Sequence, residues 1–304
     1  MYLEDTSESP FAYCVDSYSD ENFVLDLPVH QPDKLHDEPI EDTIVVVFAV
    51  GNSALREIMS VLIKFGYRYG ENFVLFSDYR LEDFKKKFQK SLGWEPRNHI
   101  YRFARANYLN SVKPVHTTVF GAYTFLECLS QSSALAGDIA EVGSFEGGNA
   151  YGALSFSAAL NSTDKTFYIF DSFEGFPELS EHDPDSSKMG DYSTQTITEE
   201  IIDSLRLHPT AQVIKGFVPK TFSSLPEDNR YSLVFYDCDL YEPALSTFQY
   251  FWERLTPGGF LIVHDYMAEP GGFEGVKKAT HEFFDPMGVE IKVFYESTMA
   301  ILQK

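Results

Sequence analysis

The stretch Ile139-Ala140-Glu141-Val142-Gly143-Ser144-Phe145-Glu146-Gly147-Gly148-Asn149 decides how this chain is read. An apolar strand ends beside an acid, passes through a glycine turn and enters Ala150-Tyr151-Gly152-Ala153-Leu154, which starts a helix. A turn without Cβ atoms lets backbone N–H groups approach a bulky polar ligand, and a helix N-terminus adds donors there. The dinucleotide fingerprint G-x-G-x-x-G is found neither here nor at Gly51, which makes a nicotinamide-dependent dehydrogenase the weakest reading. Taken alone, such a turn is structural as readily as it is ligand-binding.

Outward from the turn, strand and helix patterns alternate. Strands are expected over 138–143, 166–171, 212–214, 232–237 and 260–265, and helices over 148–160, 199–207, 242–255 and 272–284. Such alternation specifies a doubly wound α/β sheet. Residues 289–295 and 299–303 close it as a strand pair with only Glu296-Ser297-Thr298 between them. No crossover helix fits in that gap, so the last strand must run antiparallel in a mostly parallel, seven-stranded sheet. That layout resembles class I methyltransferases dependent on S-adenosylmethionine (SAM), and Glu141-x-Gly143-x-x-x-Gly147-Gly148 has the form of their cofactor turn.

Ahead of this domain, the run Ile44-Val45-Val46-Val47-Phe48-Ala49-Val50 reads as a buried strand. A helix over 54–65 and a strand over 72–77 follow, giving a small βαβ-like module across 43–100 with a scaffold role expected for Gly51. Residues 81–90 form an amphipathic helix with a solvated lysine face. Residues 100–136, including 115–129, read as a helical cover to the domain at 101–304. Residues 1–42 carry twelve acids against one base, Lys34, which is half of the net charge of −22. They are expected to form a solvated arm. The arm and the helical cover are the surfaces through which a homo-oligomer would form.

Composition narrows the function. At 304 residues and 44% hydrophobic, the chain supports an ordered core, yet no apolar run nears the length of about 20 that spans a bilayer. So acidic a protein is a poor partner for nucleic acid, whose phosphates need a basic surface. The first residues lack the basic flank and apolar stretch of a secretory signal. Cys14, Cys128 and Cys238 are odd in number and widely spaced, against a disulfide framework. The expectation is a soluble cytoplasmic protein with a small-molecule substrate.

Ligands bind such sheets outside the carboxyl ends of the strands. Asp171 ends its strand 23 residues past Gly148, where an acid is placed to accept both hydroxyls of an adenosine ribose, or else to cap its own turn. Asp237-Cys238-Asp239 follows another buried strand and His264-Asp265 the next. Paired carboxylates repel unless a cation or proton sits between them. Carboxylates with one imidazole suit a divalent cation, Mg²⁺ or Mn²⁺, held by Asp237, His264 and Asp265. Helix capping is the alternative for the acids, and a plain hydrogen-bonded histidine for His264. Residues 178–192, polar and long, read as an active-site lid or a surface loop.

Glu141-x-Gly143-x-x-x-Gly147-Gly148, Asp171-Ser172-Phe173-x-Gly175-x-Pro177, Asp237-x-Asp239-Leu240-Tyr241 and Gly258-Gly259 ahead of Asp265-Tyr266 occur in that order. Together, over 101–304, they resemble the macrocin O-methyltransferase family, whose members finish macrolide and aminocoumarin sugars. The resemblance implies SAM- and Mg²⁺-dependent methylation of a sugar hydroxyl on a glycosylated or polyhydroxylated acceptor. It implies cofactor binding by Glu141, Gly143, Ser144, Gly147, Gly148, Asp171, Ser172, Gly216 and Asp237, with Glu141 meeting the SAM ammonium. It also implies a metal carboxylate at Asp237 and a general base at Asp239. His264 stands where the family has an aspartate, and Cys238 where it has a glycine. Two other readings stay open: metal-independent methylation of an amine or acidic hydroxyl, and a SAM-binding scaffold without catalysis.

Overall fold

Seven strands after residue 137 share one sheet. They are β1 (Asp138–Val142), β2 (Phe167–Asp171), β3 (Ala211–Lys215), β4 (Tyr231–Tyr236), β5 (Leu255–Val263), β6 (Lys292–Phe294) and β7 (Met299–Gln303). The computed structural model describes residues 14–15, 23–24, 27–48, 51–111, 113–160, 164–267 and 273–304. Strand order is β3-β2-β1-β4-β5-β7-β6. The first five strands pair in parallel, and β7 runs antiparallel to both neighbours. The reversal into β7 takes a single helical turn, Tyr295–Ser297, and Thr298 at φ 59°. The antiparallel last strand is as expected, and so is the doubly wound sheet.

Helices cover both faces: α1 (Leu81–Leu92), α2 (Asn98–Asn110), α3 (Val119–Ser132), α4 (Gly148–Ala159), α5 (Thr198–Arg206), α6 (Tyr241–Trp252) and α7 (Glu274–Phe284). Every residue of β4 is buried, as a central parallel strand requires. Alternate side chains of a strand point to opposite faces. Val234 and Tyr236 join the core that Phe248, Phe251, Val276 and Ala279 build from α6 and α7. Phe235 points the other way and stacks on Phe125 of α3, ring centroids 4.5 Å apart.

Several boundaries differ from the sequence reading, each for a local reason. The expected helix over 115–129 begins only at Val119, because Thr118 is its N-cap and accepts from Gly121 N. The helix expected over 242–255 stops at Trp252, and β5 starts early at Leu255, bulging through Gly258 at φ 84° before it pairs regularly from Phe260. His264 and Asp265, placed on the strand by sequence, lie just past its end. Residue 272, the expected start of α7, lies outside the described residues.

The described residues up to 82, apart from 51–53, form a second compact unit. Val45–Val47 pairs in parallel with Phe73–Leu75 across the helix Asn52–Lys64, a βαβ arrangement. The strand expected over 72–77 is cut short where Phe76–Tyr79 coils into a helix, and residues 49–50 of the first strand lie outside the described residues. Much of the acidic arm is outside them too. Its end packs down: Leu35 is buried, Tyr67 Oη donates to Leu35 O at 3.2 Å, and Asn72 Nδ2 donates to Ile40 O at 3.0 Å. No helix among the described residues is long and apolar enough to cross a membrane.

Phe125 ties α3 to the centre of the sheet under the site. Phe125→Ala is expected to lower unfolding free energy by about 3–5 kcal/mol in urea titration, the usual cost of emptying a buried aromatic site.

Candidate active site

Backbone pairing lines up the functional residues at one edge. Asp237 N donates to Val142 O at 2.8 Å, Gly143 N to Phe170 O at 2.9 Å, and His264 N to Tyr236 O at 3.0 Å. The ends of β2, β1, β4 and β5 therefore stand side by side, across the point where strand order reverses. A cavity of about 400 Å³ opens there, lined at one end by Gly143, Ser144, Gly148, Asp171, Ser172 and Gly216 and at the other by Asp237, Asp239, His264 and Asp265. That volume lies in the range of small-molecule sites. Of the residues singled out from sequence, Glu141 and Gly147 are not at its wall.

The glycine turn is shaped first by the protein itself. A Cβ on Gly143, whose φ is +91°, would lie 2.0 Å from Asp237 O, and one on Gly148 would lie 2.0 Å from Pro114 O. These glycines make room for neighbouring backbone, where the sequence suggested room for a ligand. Asp171 completes the turn: Oδ2 accepts from Ser144 N (2.9 Å) and Phe145 N (2.7 Å), and Oδ1 from Phe173 N (2.6 Å). A carboxylate has about four acceptor sites, so one remains for a ligand, rather than the two that holding both ribose hydroxyls needs. Burial nonetheless raises the Asp171 carboxyl against the pull of those three N–H groups.

Behind the turn, Glu141 is 1% exposed and neither of its oxygens has a partner. Burial, then the charges of Asp237 and Asp171, hold its carboxyl well above the ordinary carboxylate range. Ser144 Oγ is also buried and unpartnered, at the cavity wall. The orphaned Ser144 Oγ fits a ligand with polar groups of its own.

The other end is a charge cluster. His264 Nδ1 lies 2.8 Å from Asp237 Oδ1 and 3.2 Å from Asp265 Oδ2, while Nε2 lies 3.2 Å from Thr117 Oγ1 and 3.3 Å from Thr298 Oγ1. Neither carboxylate oxygen lies along the Nδ1 hydrogen-bonding direction, so these are close approaches of charge without an aligned hydrogen bond. One donor atom from each of Asp237, His264 and Asp265 falls within 4.8 Å of the others. Adjacent ligands of an octahedral ion with bonds of about 2.0–2.1 Å are about 3.0 Å apart, so the donor set fits a divalent cation.

Without a cation, protons do the balancing. Burial works against a charged His264, but the Asp237 and Asp265 carboxylates outweigh it and hold the imidazole well above its usual range. Burial would raise Asp265 too, yet His264 and a hydrogen bond from Asp239 bring it down to about 2. Asp239 is pushed well up by burial, by the Asp265 charge and by sharing its proton with Asp265. Five of the six non-glycine residues with positive φ among the described residues line this cavity: Phe145, Tyr192, Asp239, Asp265 and Thr298. Such strain concentrates at functional sites.

Sequence reasoning missed the loop before α3. Pro114, His116, Thr117 and Thr118 line the cavity from a segment read as helical cover. The Pro and the Thr-Thr pair were the available signal, since Thr caps helices. The Gly51 turn clasps this loop: Gly51 N donates to Thr117 O, Asn52 N to Val115 O, and the Asn52 side chain bonds Lys113 O and Val115 N. That is a scaffold role, as expected for Gly51. Residues 178–192 are tied down, and Tyr192 among them lines the cavity. Gly190 N donates to Phe176 O, Asp183 Oδ1 accepts from Tyr241 N at the start of α6, and Tyr192 packs on Phe145 and Phe176 at the mouth.

Two outcomes follow from this geometry. Gly143→Ala combines a backbone clash with positive φ and should cost at least about 1–3 kcal/mol of stability in chemical denaturation. The raised Glu141 carboxyl means the folded protein binds more protons than the unfolded chain once pH passes about 4.3, so its contribution to stability falls as pH rises. Glu141→Gln cannot ionise; melting temperatures of the ligand-free protein should then fall less between pH 5 and 8, and an unchanged slope would refute the assignment.

Comparison with known proteins places the chain. The macrocin O-methyltransferase (TylF) family model matches residues 125–301. The chain is 26% identical over 168 residues to mycinamicin III 3''-O-methyltransferase of Micromonospora griseorubida, covering 52% of this chain and 64% of that one. It is 27% identical over 143 residues to demethyldecarbamoylnovobiocin O-methyltransferase of Streptomyces niveus, covering 44% and 54%. It thus spans less than two thirds of the length of these relatives. Calicheamicin methyltransferase CalS11 shares the fold at TM-score 0.56 and 16% identity, over 73% of this chain and 91% of that one. The O-methyltransferase NovP does so at 0.52 and 20%, over 75% and 99%. With the family match covering more than half of its residues, this chain belongs to the macrocin O-methyltransferase family.

Proposed function

We propose that this chain transfers the methyl group of SAM to a hydroxyl of a sugar or another polyhydroxylated small molecule. One observation carries the reading: a single cavity joins the glycine turn to the carboxylate–imidazole cluster, so a donor at one end meets an acceptor at the other. Family membership supports it, as do relatives named for O-methylation of mycinamicin III and of a rhamnosyl-tetracenomycin.

At the donor end, Ser144, Gly148 and the start of α4 offer polar atoms to the methionine part of SAM. Asp171 has one acceptor site for a ribose hydroxyl, beside Ser172 and Gly216. Glu141, sealed behind Gly143 and protonated in the free protein, would act on a bound ammonium group without touching it, by ionising as that positive charge arrives. When bound there, SAM would supply an electrophilic methyl carbon on a positively charged sulfur, with a neutral thioether as the leaving group.

At the acceptor end, Asp239 takes the proton that the hydroxyl loses. It is ready to do so only when Asp265 no longer shares its proton. A divalent ion held by Asp237, His264 and Asp265 would supply the positive charge that favours an ionised hydroxyl. The rigid strand ends would hold donor and acceptor near one another, and such positioning supplies much of the rate in transfers of this kind. Phe145 and Tyr192 narrow the mouth against water.

A metal-free mechanism has one observation behind it: His264 Nδ1 lies within 3.2 Å of both Asp237 and Asp265, so its protonated form would offset one of their two charges. Transfer from isotopically labelled SAM to a panel of glycosylated acceptors, with and without EDTA, separates the two. Asp239→Asn should slow transfer by about 10²–10⁴-fold while SAM binding measured by calorimetry is unchanged. Undiminished turnover would remove Asp239 as the base.

A further inference from the structure

We infer that the cluster selects a first-row transition ion such as Mn²⁺, Fe²⁺ or Co²⁺ over Mg²⁺, with His264 Nδ1 as the selecting ligand and Thr298 as the residue that presents it. The inference rests on the reading of Asp237, His264 and Asp265 as a cation site and assigns the class of cation.

The imidazole orientation is set from behind. Thr298 Oγ1 donates its hydrogen to Ser297 O at 2.6 Å, so towards His264 Nε2, 3.3 Å away, it can only accept. Nε2 therefore carries a hydrogen, shared with Thr117 Oγ1 at 3.2 Å. Once a cation replaces the proton on Nδ1, the ring's lone pair is there, on the atom that faces Asp237 and Asp265. His264 is almost fully buried, and Nδ1 has no aligned hydrogen-bond partner. An outer hydrogen bond that fixes the tautomer of a metal-ligating histidine is the usual support of such a site.

Thr298 is an expensive choice for its position. It sits at φ 59°, where a β-branched residue is rare and glycine is at ease. Its hydroxyl, tying Ser297 O to His264 Nε2, gives that residue a purpose. Gly121 does the same for the second hydroxyl, since a Cβ there would lie 2.0 Å from Thr117 Oγ1.

The donor set then decides the ion. Carboxylate and water suit Mg²⁺, whereas imidazole suits transition ions, whose affinity for mixed nitrogen and oxygen sites is higher. Two carboxylates with one neutral nitrogen also balance a dication without surplus charge.

The test is a Mn²⁺ titration of the full chain, stripped of ions with chelator and followed by electron paramagnetic resonance, with Mg²⁺ as competitor. Mn²⁺ should bind more than about 100-fold tighter than Mg²⁺, and spin-echo spectra should show a directly coordinated ¹⁴N. His264→Asp should abolish the nitrogen coupling and bring the Mn²⁺/Mg²⁺ ratio below about 10. Thr298→Gly, which suits the backbone, should weaken Mn²⁺ by about 10–100-fold, and Thr298→Ser should restore it. Mg²⁺ binding as tightly as Mn²⁺, or bound Mn²⁺ without ¹⁴N coupling, overturns the inference and leaves the cation site standing. If neither ion binds, cation and inference fall together, while the labelled-methyl assay still judges methyl transfer. Should His264→Asp not fold, the nitrogen coupling of the unaltered chain decides.

Discussion

Because side chains alternate with a period of two along a strand, slipping β4 against β5 by one residue would turn one row of the site into the core. The bond from His264 N to Tyr236 O fixes that register at the sheet edge, and the bond from Asp237 N to Val142 O fixes the next one. Three buried strands thus act as a jig. A one-residue slip would take Val234 and Tyr236 from the α6 side and Phe235 from the α3 side. The charged residues sit immediately beyond the last paired residues, so the precision of the apolar core is passed on to them.

The parts of this arrangement readable from sequence were those written in local pattern. The β-branched runs, the glycine turn and the short link at Glu296-Ser297-Thr298 specify strands, an edge and an antiparallel finish within a few residues each. Asp237, Asp239, His264 and Asp265 could be brought together because adjacent parallel strands leave little choice. What stayed hidden depends on contacts far apart in sequence. Nothing near Thr117 announces that it meets His264, and nothing near Gly51 announces that its turn clasps residues 113–117. The roles of Gly143 and Gly148 were readable in kind, as places where a Cβ is forbidden. Their cause is neighbouring backbone, which only the tertiary structure supplies.

Electrostatically the site is poised rather than settled. Four carboxyl groups (Glu141, Asp171, Asp237 and Asp239) are raised, while Asp265 is held low by His264 and Asp239. Burial is the largest influence on each of the four, so the cavity favours whatever brings positive charge to it. The two ends of the cavity share this hunger for cations. A sulfonium and a divalent ion would both answer it, and would link the two ends of the cavity through charge.

The clasp at Gly51 and Asn52 bears on where this protein can be divided. Residues 51–53 belong to the same compact unit as the sheet, although residues 54–82 of the other unit separate them from it along the chain. Cutting the chain near residue 100, to keep only the part that resembles its relatives, would take Asn52 N from Val115 O and Gly51 N from Thr117 O, leaving Tyr108 Oη on the latter. The loop that steadies His264 would then lose part of its anchorage, so the half of the molecule that carries the candidate site depends on a turn that lies outside the family match.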